Sequence, residues 1–331
     1  MAKLVDAYNR TVDYLRVSIT DRCNLECFYC TPFGGRIKLA HDEILSYEEI
    51  LRTAKAAVQA GISKIRITGG EPLYRRGMVR LCRMFSDIEG IEKIAVTTNG
   101  ILLKELAGPL FEAGVRRINV SLDTLKPGRF KKITGGDLLY RVLEGIEASE
   151  KVGLSPIKIN TVVMRGINDD EIENLAGLTL KKPYHVRFIE LMPTQGHTME
   201  NHHSLFVSLD EIINRVKMIG NLELASETED FGPAKLYSIF GAPGKVGFIA
   251  PLSRHFCHTC NRLRLTADGK IKNCLFSANE TDIKGPLRTG ASVEELADIF
   301  RHAAQNKPRK HHLNDSAPQN LFGPTMRAIG G

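Results

Sequence analysis

Six of the seven cysteines fall into two clusters of three: Cys23, Cys27 and Cys30, then Cys257, Cys260 and Cys274. The first reads Cys23-Asn-Leu-Glu-Cys27-Phe-Tyr-Cys30, a C-x3-C-x2-C run. Structural zinc sites take four protein ligands, commonly from C-x2-4-C pairs. A cubane iron–sulfur cluster also takes four ligands. Three thiolates therefore leave one iron open. An open iron can chelate the amino and carboxylate groups of a methionine moiety and hold its sulfonium beside an electron source. A zinc knuckle completed by a distant histidine is the alternative.

The second cluster, C-x2-C-x13-C, again has three cysteines, and zinc completed by His255 or His258 is the competing reading. Between its cysteines lies Asn261-Arg262-Leu-Arg264-Leu. In an extended segment Arg262 and Arg264 share one face. Such a two-arginine fork suits an anionic or carbonyl-rich ligand. Cys82 sits in an amphipathic stretch, Met78–Phe85, and is expected to be a small core residue.

The elements that must position these residues alternate strand and helix. Strand-like runs rich in Ile and Val occur at Tyr14–Ile19, Lys64–Thr68, Lys93–Thr97, Arg117–Ser121, Ile157–Val163 and Tyr184–Glu190. Helical stretches between them include one opened by the capping box Ser46-Tyr-Glu-Glu49 and stopped by Gly61. Others are Leu103–Ala113, stopped by Gly114, and Leu138–Val152, stopped by Gly153. Repeated βα units force parallel strands with right-handed crossovers. The expected fold is α/β, an incomplete (βα)6 TIM-like barrel over residues 1–195. A C-terminal α+β extension over residues 196–331 is expected to carry the second cluster. There Pro193–Leu205 reads as a loop, Ser208-Leu-Asp-Glu211 and Ser292-Val-Glu-Glu295 as helix caps, and Lys235–Phe240 and Val246–Ile249 as strands. The basic run Lys307-Pro-Arg-Lys310 reads as solvated, and the last 25 residues as extended, ending in Gly330-Gly331.

Charge is placed on the strands. Lys64, Arg66 and Thr68 share one face of the second strand, and Ile65 and Ile67 the other. A buried parallel strand is normally apolar on both faces. Lys158 and Asn160 repeat the anomaly on the fifth strand, with Arg187 on the sixth and Arg16 on the first. Four strands pointing cations at one interior would be very unfavourable without a counter-charge. A bound triphosphate matches the number of donors, and the chain has no Walker A sequence to hold one otherwise.

Bulk properties fit this picture. The chain has 331 residues, 43% hydrophobic and 25% charged, with net charge +7. No apolar run approaches the roughly 20 residues that span a bilayer. The N-terminus lacks the apolar core of a secretory signal. The expected location is cytoplasmic, with no nucleic acid and no membrane as partner.

The first cluster, placed after the first strand, resembles that of the radical SAM superfamily. Thr68-Gly-Gly-Glu71-Pro72, Thr97-Thr-Asn99-Gly100 and Ser121-Leu-Asp123 follow the next strands and fit the same resemblance, with Glu71 suited to accept from a methionine ammonium. More narrowly, the chain resembles the GTP 3′,8-cyclase family, which opens molybdenum cofactor biosynthesis. The resemblance rests on Leu15-Arg16-Val-Ser-Ile-Thr-Asp21, Arg187-Phe-Ile-Glu190-Leu-Met192-Pro193, Phe256-Cys-His-Thr-Cys-Asn-Arg-Leu-Arg264, Cys274-Leu-Phe276 and the Gly-Gly end. Thr31-Pro-Phe-Gly-Gly35 departs from the family's usual wording.

The resemblance implies two [4Fe-4S] clusters, on Cys23, Cys27 and Cys30 and on Cys257, Cys260 and Cys274, the second meeting the guanine through its open iron. It implies S-adenosylmethionine contacts at Tyr29, Gly70, Glu71, Asn99, Ser121 and Met192. Lys64, Arg66, Thr97, Lys158 and Arg187 would receive the triphosphate, with Arg16, Arg262 and Arg264 completing a catalytic GTP site that the Gly-Gly tail enters. The implied reaction begins with reductive cleavage of S-adenosylmethionine. The 5′-deoxyadenosyl radical removes the ribose 3′ hydrogen, and the carbon radical adds to C8 of guanine. The implied partners are GTP, an electron donor protein, a downstream cyclic pyranopterin monophosphate synthase and a second copy of the chain in a homodimer. Two other readings stand beside this one. A radical SAM peptide maturase would carry more cysteines and would not need interior cations. An iron–sulfur or zinc RNA-binding protein would show its cations on an outer face with exposed aromatics.

Overall fold

The computed structural model describes residues 3–30, 39–193, 199–225, 232–277 and 279–311. Six strands appear where the Ile/Val runs predict them: β1 (Tyr14–Ser18), β2 (Lys64–Thr68), β3 (Lys93–Thr98), β4 (Arg117–Ser121), β5 (Ile157–Val163) and β6 (His185–Glu190). Six more follow: β7 (Leu222–Leu224), β8 (Lys235–Ile239), β9 (Lys245–Ile249), β10 (Arg262–Leu265), β11 (Lys270–Lys272) and β12 (Glu280–Asp282). All belong to one sheet, in the order β12-β11-β10-β1-β2-β3-β4-β5-β6-β9-β8-β7.

The C-terminal strands extend this sheet at both ends. β10 lies parallel to β1, and β9 parallel to β6, so eight neighbouring strands run in one direction. Antiparallel β11–β12 and β8–β7 continue the two edges. The segment after residue 195 is thus sewn into the sheet that the first part forms.

The helices cover one face of the sheet. Helix Tyr47–Gln59 begins at the expected capping box, with Ser46 Oγ accepting from Glu49 N at 3.1 Å and Glu49 Oε2 from Ser46 N at 2.7 Å. Helix Val293–Gln305 repeats that arrangement at Ser292 and Glu295. The two helices pack together, and Arg52 donates to the carbonyls of Leu287 and Ala291. Beneath them the outward-facing residues of the strands, such as Leu15, Val17, Ile65, Ile67, Val96 and Val120, form a continuous apolar core. Cys82 is fully buried there, as expected.

Two expectations are corrected. Residues Met199–Leu205, expected as loop, are helical; the stretch has neither Gly nor Pro. Its C-terminal turn is anchored where Arg165 N donates to the Leu205 carbonyl at 2.8 Å and the His202 ring bonds the Leu191 carbonyl at 2.8 Å. Lys307, expected in solvent, is 3% exposed. Its ammonium donates to the carbonyls of Arg262 at 2.9 Å and Asn273 at 2.7 Å, so a single charge is held by main-chain oxygens. Thr31–Gly35 and Gly330-Gly331 lie outside the described residues.

Candidate active site

The other face of the eight parallel strands is polar. Strand register places Arg264, Arg16 and Arg66 side by side on β10, β1 and β2, and Asn160 beside Arg187 on β5 and β6. Gly247 is the register partner of Arg187, and a Cβ there would lie 3.0 Å from Arg187 Cγ. The missing side chain gives the arginine its room. This face surrounds a cavity of 310 Å³.

All six clustered cysteines line that cavity, half-buried and not joined in disulfides. They approach it from opposite ends. Cys23, Cys27 and Cys30 follow the C-terminal end of β1, whereas Cys257 and Cys260 precede β10, its parallel neighbour. β1 alone separates the two ends by about 13 Å, at ~3.3 Å per residue.

The first triad is braced by the loops that follow β2, β3 and β4. Gly70 N donates to the Thr20 carbonyl at 2.6 Å, and a Cβ on Gly70 would sit 2.4 Å from the Arg22 carbonyl oxygen. Only glycine permits that approach. Glu71 is buried and fully engaged: it accepts from Leu73 N at 3.0 Å, Thr98 Oγ1 at 2.7 Å and Asn99 N at 2.6 Å. Burial pushes its carboxyl up to about 7, against the pull of those three donors. Asn99 Nδ2 reaches Asn24 Oδ1 at 2.7 Å and Cys23 Sγ at 3.8 Å. Tyr29 donates to Asp123 Oδ2 at 2.5 Å, and Asp123 Oδ1 accepts from Val162 N at 2.9 Å. Burial raises Asp123 to about 6 despite these bonds. Asp123, which no sequence motif marks beyond its place after β4, thus ties Tyr29 to the C-terminal end of β5.

The second triad is held from two sides. Arg10 donates to the Cys257 carbonyl at 2.7 Å and the Pro308 carbonyl at 2.8 Å, with its own buried partner in Asp6. Lys307 lies beneath Arg262 as described. Burial would raise the Cys260 thiol, but Arg262 and Lys307 outweigh it and bring it down to about 6. The Arg262 guanidinium stacks 5.1 Å from the Phe256 ring. His255 lines the cavity here, whereas His258 does not. Among the described residues no three Cys, His, Asp or Glu side chains form a single-ion site.

Of the residues singled out for S-adenosylmethionine, Tyr29, Gly70, Glu71, Asn99, Ser121 and Met192 all line the cavity. Of those singled out for GTP, Arg16, Arg66, Thr97, Arg187, Arg262 and Arg264 line it. Lys64 and Lys158 face an adjoining chamber at the N-terminal ends of the strands. Lys64 donates to Asp13 at 2.6 Å. Burial, then Arg187, Arg66, Arg117 and Lys93, bring Lys158 down to about 5. Burial also lowers Arg187 to about 9 and Arg264 to about 10, each with neighbouring arginines adding to the effect.

Among the described residues, the buried polar atoms on the cavity wall without a hydrogen-bond partner include Arg66 Nε, Thr97 Oγ1, Asn160 Oδ1 and Asn273 Oδ1. Buried polar atoms are rarely left so. With thiols at both ends and donors between, the wall fits a thiolate-held cluster and polar, anionic ligands.

Comparisons with known proteins agree with this geometry. Residues 17–179 match the Radical SAM superfamily, and residues 184–313 match Molybdenum Cofactor Synthesis C. The crystal structure of Streptococcus suis SuiB bound to S-adenosylmethionine shares the fold, with a TM-score of 0.59 at 15% identity over 89% of this chain and 69% of that one. The fold and site thus define a radical SAM protein, which implies a [4Fe-4S] cluster and S-adenosylmethionine. A GTP 3′,8-cyclase of Peptoclostridium acidaminophilum is 49% identical over 99% of this chain and 98% of its own. Another, of Thermodesulfovibrio yellowstonii, is 48% identical over 96% and 99%. The chain belongs to the GTP 3′,8-cyclase family.

Proposed function

We propose that the protein cyclises GTP to (8S)-3′,8-cyclo-7,8-dihydroguanosine 5′-triphosphate, the first step of molybdenum cofactor biosynthesis. One observation carries this reading: a cationic inner face lies between two cysteine triads at opposite ends of the same strands. A peptide substrate gives no reason for that face. An RNA partner would need the cations outside.

In this reading Cys23, Cys27 and Cys30 hold the cluster that binds S-adenosylmethionine, and Cys257, Cys260 and Cys274 hold a second [4Fe-4S] cluster facing the guanine. Held by Cys23, Cys27 and Cys30, the first cluster would supply the electron for reductive cleavage of S-adenosylmethionine, the source of the radical that abstracts the ribose 3′ hydrogen. The chain's own residues do the positioning. Tyr29, Gly70, Glu71, Asn99, Ser121 and Met192 shape the S-adenosylmethionine pocket. Lys64, Arg66, Thr97, Lys158 and Arg187 hold the triphosphate. Arg16, Arg262 and Arg264 orient the nucleoside and stabilise charge that develops on the ring. Burial of this wall keeps water and stray hydrogen donors from the radical.

The fold is read as an incomplete (βα)6 barrel over residues 1–195, closed by the extension over 196–331, since the inward faces of β1 to β6 share one cavity. An electron donor protein, a cyclic pyranopterin monophosphate synthase, a homodimer and a cytoplasmic location complete the reading. No helix among the described residues is long and apolar enough to cross a membrane.

Anaerobic incubation of the reconstituted protein with S-adenosylmethionine, dithionite and GTP tests the reading. Loss of GTP with an isobaric product and stoichiometric 5′-deoxyadenosine is expected. Formation of 5′-deoxyadenosine with GTP left intact would refute it.

A further inference from the structure

Residues 306–309 thread between the segments that carry the second triad. The Asn306 carbonyl accepts from Asn273 Nδ2 at 2.7 Å, beside Cys274. Lys307 bonds the carbonyls of Arg262 and Asn273, so it joins the strand after Cys260 to the turn before Cys274. Arg10 joins the carbonyls of Pro308 and Arg309 to that of Cys257. Each of the three cysteines is thus tied to this one run through main chain at or next to it.

Lys307 is the charge that this run carries inside, and it is 3% exposed. An ammonium has three N–H donors. The two carbonyls take two, the Cys260 side chain takes a further bond, and Cys274 also feels the charge. Among the described residues no carboxylate pairs with Lys307. A buried ammonium held by neutral carbonyls alone is unfavourable. The sulfurs are the partners that can supply negative charge, since thiolate is the form that ligates metal. The three thiols are close enough to act on one another. Arg262, the other cation here, is half-buried and lies over the Phe256 ring, so Lys307 is the covered one. Three thiolates leave a [4Fe-4S] cluster with net negative charge, and an added electron makes it more negative. A fixed cation behind them suits that group.

We propose that Lys307 is a positioning residue of the second cluster, whose buried charge keeps that cluster loaded and raises its reduction potential. The inference rests on the proposed second cluster and deepens it. Net charge and hydrogen bonds to the sulfurs are what set such potentials.

Anaerobic reconstitution, with iron and sulfide analysis and a redox titration followed by electron paramagnetic resonance, tests this. S-adenosylmethionine perturbs the signal of the first cluster and so tells the two apart. Lys307→Met should make reduction of the second cluster about tenfold less favourable, a fall of about 59 mV in midpoint potential, or leave that cluster unloaded. Lys307→Arg should restore loading and most of the potential. Retained cleavage of S-adenosylmethionine shows that each variant is folded. Should the Met variant not fold, Lys307→Gln, which keeps an N–H for the carbonyls, reads the charge alone. Full loading at the wild-type potential in the neutral variant overturns the inference, as does equal loss in the Arg variant, which would make the role one of shape. Wild-type protein that takes up about four irons and shows one signal, sensitive to S-adenosylmethionine, refutes the second-cluster reading itself.

Discussion

Arg16 and Arg264 are Cα partners on adjacent parallel strands, both buried, although one opens the first βα unit and the other lies in the C-terminal extension. Burial, then Arg264, Arg66 and Arg262, hold Arg16 well below its ordinary value. The pairing sets two buried guanidinium groups side by side. Replacing Arg264 with Leu removes a buried like charge from the ligand-free protein. Its Tm should rise by about 2–4 °C, while turnover of GTP falls at least about 100-fold. Calorimetric melts and product analysis check the two halves, and a fall in Tm would show that Arg264 stabilises the empty fold.

Lys158 makes nucleotide binding depend on protons. Its ammonium is faced by Lys64 and Arg66 from β2, Lys93 from β3, Arg117 from β4, and His185 and Arg187 from β6. With its value brought down to about 5, Lys158 is neutral in the empty site at pH 7. A bound polyanion raises that value, so binding takes up a proton and is favoured at lower pH. Affinity for GTP should fall by up to about tenfold per unit as pH rises from about 5 to the raised value, and level off above it. Calorimetry at pH 8 in buffers of different ionisation enthalpy should show uptake that Lys158→Met abolishes. Uptake unchanged in that variant would assign the proton elsewhere.

Arg10 staples the N-terminal arm to the loop of the second triad through the carbonyls of Cys257 and Pro308. Arg10→Ala leaves both oxygens without their charged donor. With a second [4Fe-4S] cluster on Cys257, Cys260 and Cys274 as proposed, iron should drop from about eight to about four per chain, with cleavage of S-adenosylmethionine retained. Full iron content in the variant would show that the loop holds itself.

Gly70→Ala probes the other triad. The new Cβ meets the Arg22 backbone, which cannot move without shifting the cysteine loop. Affinity for S-adenosylmethionine should fall at least about tenfold, read by the change in the cluster's spectrum on titration.

Much of the site was legible because its chemistry repeats at a fixed spacing. Lys64 and Arg66 alternate with Ile65 and Ile67, and the structure turns the first pair inward and the second under the helices. Lys93 and Arg117, which also act on Lys158, carry no such signal for a local reason. Each is the first residue of a strand whose later inward positions are small or neutral, Ala95 and Thr97 or Asn119 and Ser121, so each looks like a rim charge. The side-by-side placement of β10 and β1 rests on contacts between residues far apart in sequence, which no local pattern encodes. Lys307 looked solvated because a basic run beside a proline reads as surface; carbonyl oxygens of Arg262 and Asn273, invisible in sequence, bury it.

The central claim is that the cavity holds the GTP ribose within reach of a radical made from S-adenosylmethionine. GTP carrying deuterium at C3′ tests it most directly, in an anaerobic single-turnover reaction with mass analysis of the 5′-deoxyadenosine formed. One deuterium in 5′-deoxyadenosine, matched by its loss from the cyclised nucleotide, is the predicted result. Unlabelled 5′-deoxyadenosine with the label still on the nucleotide would contradict the account.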